Sequence, residues 1–283
     1  MQPLSETKRR VYLTLFIGLF FAILPAVIFY ADGWRWSRDL GLYKTGGVFI
    51  SVPYPDADVT LDGEHIGRSG FFDRSFYIGD LEPAAYVVEV SSEGYLSWNR
   101  VLVVEPQLVT DASALLFPKR IELTRLTVGG TATTGLEVIT RDQYDDYQAV
   151  FATTTPDAVA ATPGATSTPQ DVSEGIGLFV EGGDVSVRWL SASAFPPSRF
   201  CGRPSFCVSE IPIERTNEEA RTARFFRGGV VYATREGGVY FAEHDVRPSP
   251  VSAQLYAGED ADIRVVNDSL ILKSGNDLFR IAL

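Results

Sequence analysis

Few of the 283 residues are of types that carry covalent or metal chemistry: two cysteines and two histidines. Cys201 and Cys207 bracket "FCGRPSFC". Such a pair either closes a short disulfide loop, which stabilises by roughly 2 kcal/mol on a chain-entropy basis, or forms half of a zinc site. Zinc needs two more ligands, which this chain hardly has, so a structural disulfide is expected. His65 lies beside the turn Asp62-Gly63 and His244 lies in "AEHDVRP". Neither accompanies a Ser or Cys nucleophile motif, and G-x-S-x-G is absent, so both are expected as exposed or half-buried turn residues. The acidic stretches "RDQYDDYQ" (141–148) and "AGEDADIR" (257–264) contain Asp145 and Asp262. Paired carboxylates would suit glycoside hydrolysis or Ca²⁺, but the ligand spacing does not match a calcium loop. Asp is common in β-turns, and that reading is preferred. "RTARFFRGG" (221–229) is a small basic island, read as a solvated edge rather than a contact for an anionic surface. Tyr77, Tyr95, Trp98 and Trp189 are read as core rather than sugar platforms. No catalytic residue, metal ligand or cofactor site is expected, and the chain is not read as an enzyme.

The elements that would position these residues begin with an anchor. Val11–Tyr30, "VYLTLFIGLFFAILPAVIFY", carries no charge over 20 residues. As a helix it reaches roughly 30 Å, the thickness of a hydrocarbon core. Gly18 and Pro25 are tolerated there. Lys8, Arg9 and Arg10 flank one end; Tyr30, Trp34 and Trp36 make an aromatic belt at the other. The positive-inside rule places residues 1–10 in the cytoplasm and everything after Tyr30 outside. A cleaved signal peptide would have a shorter apolar core and a small residue where Phe29 stands. Residues 31–45 are read as a juxtamembrane stalk.

Net charge is −11; Lys8, Arg9 and Arg10 against Glu6 give the tail +2, so the remainder carries −13. That acidic body is a poor partner for nucleic acid, whose phosphates require Lys and Arg. Hydrophobic residues at 45% and aromatics at 12% suffice for packed cores. Val48, Ile50 and Val52 share a strand face, and Val59 and Leu61 another, with Asp62-Gly63 as a two-residue turn. Tyr86, Val88 and Val90 alternate with Val87, Glu89 and Ser91, and "RVLVVEP" (100–106) reads as a buried strand. Residues 46–118 are therefore expected as a small β-sandwich. From 119 to 283, strand-like pieces alternate with turns. "GGVVYATREGGVYFAEHD" (228–245) and "DSLILKSGNDLFRIAL" (268–283) resemble each other at a period near 40, the spacing of a propeller blade. A mostly β, propeller-like array, closed or incomplete, is expected there. The Thr/Pro/Ala-rich segment 152–175 reads as a disordered insertion.

Pro55-Asp56-Ala57, Val59 to Asp62-Gly63, Gly67, Leu81-Glu82-Pro83-Ala84-Ala85-Tyr86 and Gly94-Tyr95 occur in an order that resembles the PEGA domain, a β-sandwich module of bacterial and archaeal envelope proteins. Two departures stand out: Ala84 or Ala85 replaces the usual Gly after Pro, and Arg68-Ser69 replaces Thr-Pro. "YADGW" (30–34) and "KTGGVFI" (44–50) are also similar to the membrane-exit segment of anchored PEGA proteins. The resemblance implies surface structure or binding, with no catalytic residues to carry over. The expected function is a single-pass, extracytoplasmic binding or scaffolding protein of the cell envelope, with an envelope polymer or surface protein as partner. A glycan hydrolase and a transmembrane regulator acting through a membrane partner are the alternatives.

Overall fold

The computed structural model describes residues 6–38, 41–152, 168–192, 195–213 and 219–283, and is mostly β with one long apolar helix. Helix α1 (Glu6–Ala31) holds the uncharged run and buries none of its residues. It is long and apolar enough to cross a membrane, with mean hydropathy 2.5. The stretch read as a stalk contains a hairpin, β1 (Trp34–Ser37) paired with β2 (Gly41–Lys44). Side chains pin this hairpin to the loop around residues 80–82: Arg35 meets Asp80 at 2.7 Å and the Tyr43 hydroxyl donates to Glu82 at 3.0 Å. Lys44 sits 2.9 Å from Asp32 and holds that carboxyl below its ordinary pKa.

Strands β3 (Gly46–Ser51), β4 (Asp58–Leu61), β5 (Glu64–Arg68), β6 (Ser75–Leu81) and β7 (Ala85–Ser91) come next. Then come β8 (Tyr95–Leu96), β9 (Trp98–Val103) and β10 (Val109–Ser113). They make two sheets, ordered β10-β3-β6 and β5-β4-β7-β9. Val48, Ile50 and Ala112 of one sheet pack against Val59, Val88, Val90, Trp98 and Leu102 of the other in one core. At the Asp62-Gly63 turn φ is 48° and 82°, the double left-handed geometry that matches strand twist. Strand β9 departs from the expected wholly buried run: Trp98, Arg100 and Leu102 point inward while Asn99 and Val101 are exposed. Gly46 is needed for close approach, since a Cβ there would lie 2.3 Å from the Glu105 carbonyl oxygen.

Strand β11 (Phe117–Pro118) pairs with β8 and leads into the second unit. Next come β12 (Glu122–Val128), β13 (Leu136–Ile139) and helix α2 (Arg141–Ala152). Strands β14 (Asp171–Ser173), β15 (Ile176–Glu181) and β16 (Asp184–Trp189) precede the small hairpin β17 (Cys201–Arg203) and β18 (Phe206–Cys207). The last elements are β19 (Glu210–Pro212), β20 (Ala220–Phe226), β21 (Gly229–Thr234), β22 (Gly238–Glu243), β23 (Ser252–Ala257), β24 (Ala261–Val266), β25 (Ser269–Ser274) and β26 (Asp277–Ala282). Three larger sheets result, ordered β14-β15-β16-β19, β20-β21-β22-β23 and β13-β12-β26-β25-β24.

The second sheet is the middle layer. Val230 and Tyr232 of β21 pack with Leu178 and Val187 of the first sheet. The alternate residues Val231 and Ala233 pack with Ile263, Leu270 and Leu272 of the third. A strand covered on both faces reads as a continuous apolar run rather than an alternating one, which is why "GVVYA" carries no polar residue. The outer face of the third sheet, Leu126, Ile271 and Leu278, is covered by Tyr144, Tyr147 and Phe151 of α2.

Three expectations are corrected here. "RDQYDDYQ" is the body of α2 and not a turn: Thr140 and Gln143 bond reciprocally at 3.2 Å, side chain to backbone N–H each way, the capping box that starts a helix. "RTARFFRGG" is largely strand β20, the edge strand of its sheet, with Arg221 and Arg227 exposed as expected, but Ala223 and Phe226 are buried. Within the segment read as a disordered insertion, residues 153–167 lie outside those described, but Asp171–Ser173 pairs with β15 as strand β14.

Candidate functional site

Sandwich and second unit meet at a charged, buried seam. Period-2 alternation places Arg100 on the inward face of β9 between Trp98 and Leu102, where its side chain has 0% exposure. A guanidinium cannot be stripped of water without a counter-charge, and Glu243 at the end of β22 supplies it. Glu243 accepts from Trp98 Nε1 at 3.1 Å, from Arg100 Nη2 and from the Val251 N–H at 2.9 Å. Arg100 also donates to the Ser249 carbonyl. Beside it Asp245 grips Arg247 through two hydrogen bonds at 2.8 and 2.6 Å, and Arg247 donates to the Asp111 carbonyl of β10 at 3.0 Å. Leu115 and Val251 belong to the cores on both sides.

A second tie comes from the cysteine hairpin. Cys201 and Cys207 are joined by a disulfide and are direct cross-strand partners. The turn between them docks on Glu105 of the sandwich, with Ser205 donating from its backbone N–H at 2.8 Å and its hydroxyl at 2.6 Å. Arg199, two residues before Cys201, is thereby held at the seam.

Between the ties lies a cleft of about 520 Å³ walled by Pro53, Tyr54, Asp111 and Ser113 of the sandwich and by Arg199, Arg227, His244 and Asp245 of the second unit. A neighbouring cleft of about 310 Å³ shares Arg199, Arg227 and His244 and adds Glu174, Phe225 and Asp268. Arg227 occupies a tight turn with Gly228, at φ 46° and 77°, which presents its exposed side chain at the cleft mouth. Arg227 donates to the main-chain oxygen of Leu283.

His244 corrects the expectation of an exposed turn residue: it is 2% exposed, against the Phe225 ring at 5.6 Å and Arg199 Nη1 at 2.6 Å. Arginine only donates, so Nε2 accepts and the proton resides on Nδ1, which has no partner among the described residues. Burial first, and the Arg199 charge second, hold its pKa down to about 3. A neutral imidazole of that kind is a weak base and serves here to orient Arg199.

Compared with known proteins, the chain matches no family model and no curated protein.

The residues singled out in the sequence as resembling a PEGA motif lie in the sandwich, and none of them is among those lining this cleft. Ala57 is buried, its N–H bonded to the Ser69 hydroxyl at 2.9 Å, and Pro55 lies in the preceding turn. Asp62 accepts from the Val87 N–H at 2.7 Å, and Gly63 completes that turn. At Gly67 a Cβ would meet the Phe76 ring at 2.8 Å. Tyr86 donates to the Glu82 carbonyl at 3.1 Å, across Pro83. Gly94 has φ 84°, and Tyr95 packs on Tyr54 at 5.6 Å between centroids. His65 is exposed on β5. Of the four aromatics read as core, Trp98 is fully buried, Tyr95 and Trp189 are half-buried, and Tyr77 is exposed. Asp145 pairs with Arg141 on α2 and Asp262 with Arg264 on β24, each in local ion pairs. Among the described residues no group of three or more His, Cys, Asp or Glu is arranged to hold a metal ion. Sequence reasoning missed Arg100, Glu243, Asp245, Arg247 and Arg199; its one available signal was a charge at an inward position of an alternating strand.

Proposed function

We propose that the protein is a single-pass, membrane-anchored binding or scaffolding component of a cell envelope, with its β units outside the cytoplasm. In this reading the sandwich is a PEGA-like module and the three stacked sheets are a short propeller-like array whose first strand, β12, lies beside its last, β26. The observation that carries the reading is the seam. The buried Arg100–Glu243 pair and the hydrogen bond from Arg247 to the Asp111 carbonyl join the two units and leave a preformed cleft between them. Rigid, preshaped surface suits recognition because little ordering cost accompanies binding. The basic flank Lys8-Arg9-Arg10 supports the orientation, and the disulfide accords with an oxidising compartment.

The test is cross-linking and pull-down of the full chain from envelope membranes, with mass analysis of whatever it holds. The expected result is a polymer or surface protein recovered covalently unaltered. Reproducible turnover of a bound glycan, abolished by Asp145→Asn or Asp262→Asn, would overturn the reading in favour of a hydrolase.

A further inference from the structure

We infer that the cleft between sandwich and second unit is a binding site for an acidic saccharide, a sugar carrying a carboxylate or phosphate. The inference rests on the binding reading above and names the ligand class of that site. Its first support is charge placement. In this acidic body most second-unit arginines facing carboxylates are engaged by them: Arg188 by Glu181 and Glu210, Arg264 by Asp262, Arg280 by Glu137. Arg199 and Arg227 wall the same cleft, and among the described residues neither is paired with an Asp or Glu side chain; Arg227 spends one N–H on the main-chain oxygen of Leu283 and keeps the rest of its fork. The guanidinium fork matches the geometry of carboxylate and phosphate oxygens, and two such forks in one recess make an oxyanion site.

The second support is how Arg199 is held. It is fixed by the disulfide hairpin on one side and by the neutral His244 acceptor on the other. One N–H is used in that contact, which leaves donors for a ligand and lowers the ordering cost of binding.

The third support is the rest of the lining. Asp111 and Ser113 offer a carboxylate and a hydroxyl, and Tyr54 an aromatic ring, from the sandwich side of the same cleft. Asp111, with Glu174 and Asp268 in the smaller cleft, would repel a bare anion; an acidic sugar instead places its charged group on the arginines and hydroxyl donors on Asp111. The volume of about 520 Å³ lies within the range of roughly 300–1,000 Å³ typical of small-molecule sites.

The experiment is calorimetric titration of the full chain in nanodiscs of neutral phosphatidylcholine with glucuronic acid, glucose 6-phosphate, glucose and inorganic phosphate. Glucuronic acid or glucose 6-phosphate is expected to bind at least tenfold more tightly than glucose and than phosphate alone. Arg199→Gln and Arg227→Gln should each weaken that binding about tenfold, and Asp111→Asn should weaken it without abolishing it. Thermal melts of each variant establish that it is folded. Phosphatidylglycerol vesicles form a further arm, expected to bind no better than phosphatidylcholine vesicles. Equal affinity for glucose, equal affinity for phosphate alone, preference for the anionic vesicles, undiminished binding by the double arginine variant, or no binding of any probe would overturn the inference. A partner recovered by pull-down in those circumstances would leave the broader binding role intact.

Discussion

His244 is surrounded by groups that settle its charge. Phe225 covers its ring, Arg199 contacts Nε2, and Glu243 and Asp245 on either side of it in sequence are already engaged by Arg100 and Arg247. With a folded-state pKa near 3 against an ordinary 6.5, the unfolded chain binds a proton between those values that the folded chain does not. Its contribution to stability is therefore complete above about pH 6.5 and is lost progressively as pH falls toward 3. Urea unfolding from pH 7 to pH 4.5 should show stability falling with a histidine component approaching about 1.4 kcal/mol per pH unit. His244→Gln, which keeps a side-chain acceptor for Arg199, should flatten that slope; an unchanged slope would count against the buried neutral imidazole. The alternation of "WNRVL" puts Arg100 on the inward face, a signal passed over when "RVLVVEP" is read as one buried strand, and no local rule names its partner, because Glu243 lies 143 residues away.

At the scale of elements, α2 shows how a local signal was present and outweighed. "RDQYDDYQ" is rich in Asp, a turn former, yet Thr140 and Gln143 form a capping box and Tyr144, Tyr147 and Phe151 fall on one helical face. That face covers the third sheet, and tertiary burial outweighs the low helix propensity of Asp. Thr140→Ala should cost about 1 kcal/mol, read as faster amide exchange across residues 141–145 with little change in β23. Equal protection in the variant would remove the cap from the account. Strand β20 was hidden for a related reason: Arg221 and Arg224 within it and Arg227 just after it give the stretch a basic character, although Ala223 and Phe226 are core.

For the molecule as a whole, the contacts across the seam are expected to make sandwich and second unit unfold as one cooperative body. Removing one partner of a buried ion pair leaves an uncompensated charge and costs about 3–5 kcal/mol. Glu243→Gln should therefore destabilise by that amount and separate a single unfolding transition, followed by fluorescence and circular dichroism, into two. Arg100→Met added to Glu243→Gln should recover part of the loss, since glutamine still accepts from Trp98 and Val251. Two separate transitions in the parent chain would mean that the units are not coupled.

Period and punctuation alone made the uncharged helix, the Asp62-Gly63 hairpin and the β runs of the second half legible, since each depends on neighbours within a few residues. Val48, Ile50 and Val52, read as one face, are all fully buried, because side-chain alternation is local geometry. The sheet order that stacks β21 between two layers, the burial of His244 and the cleft walled by Tyr54 and Arg199 come from contacts between segments far apart in the chain. Such contacts are chosen by which surfaces fit and which charges find counter-charges when the units close on each other. Only the tertiary structure decides them, because closure is where a residue such as Arg100 exchanges water for Glu243.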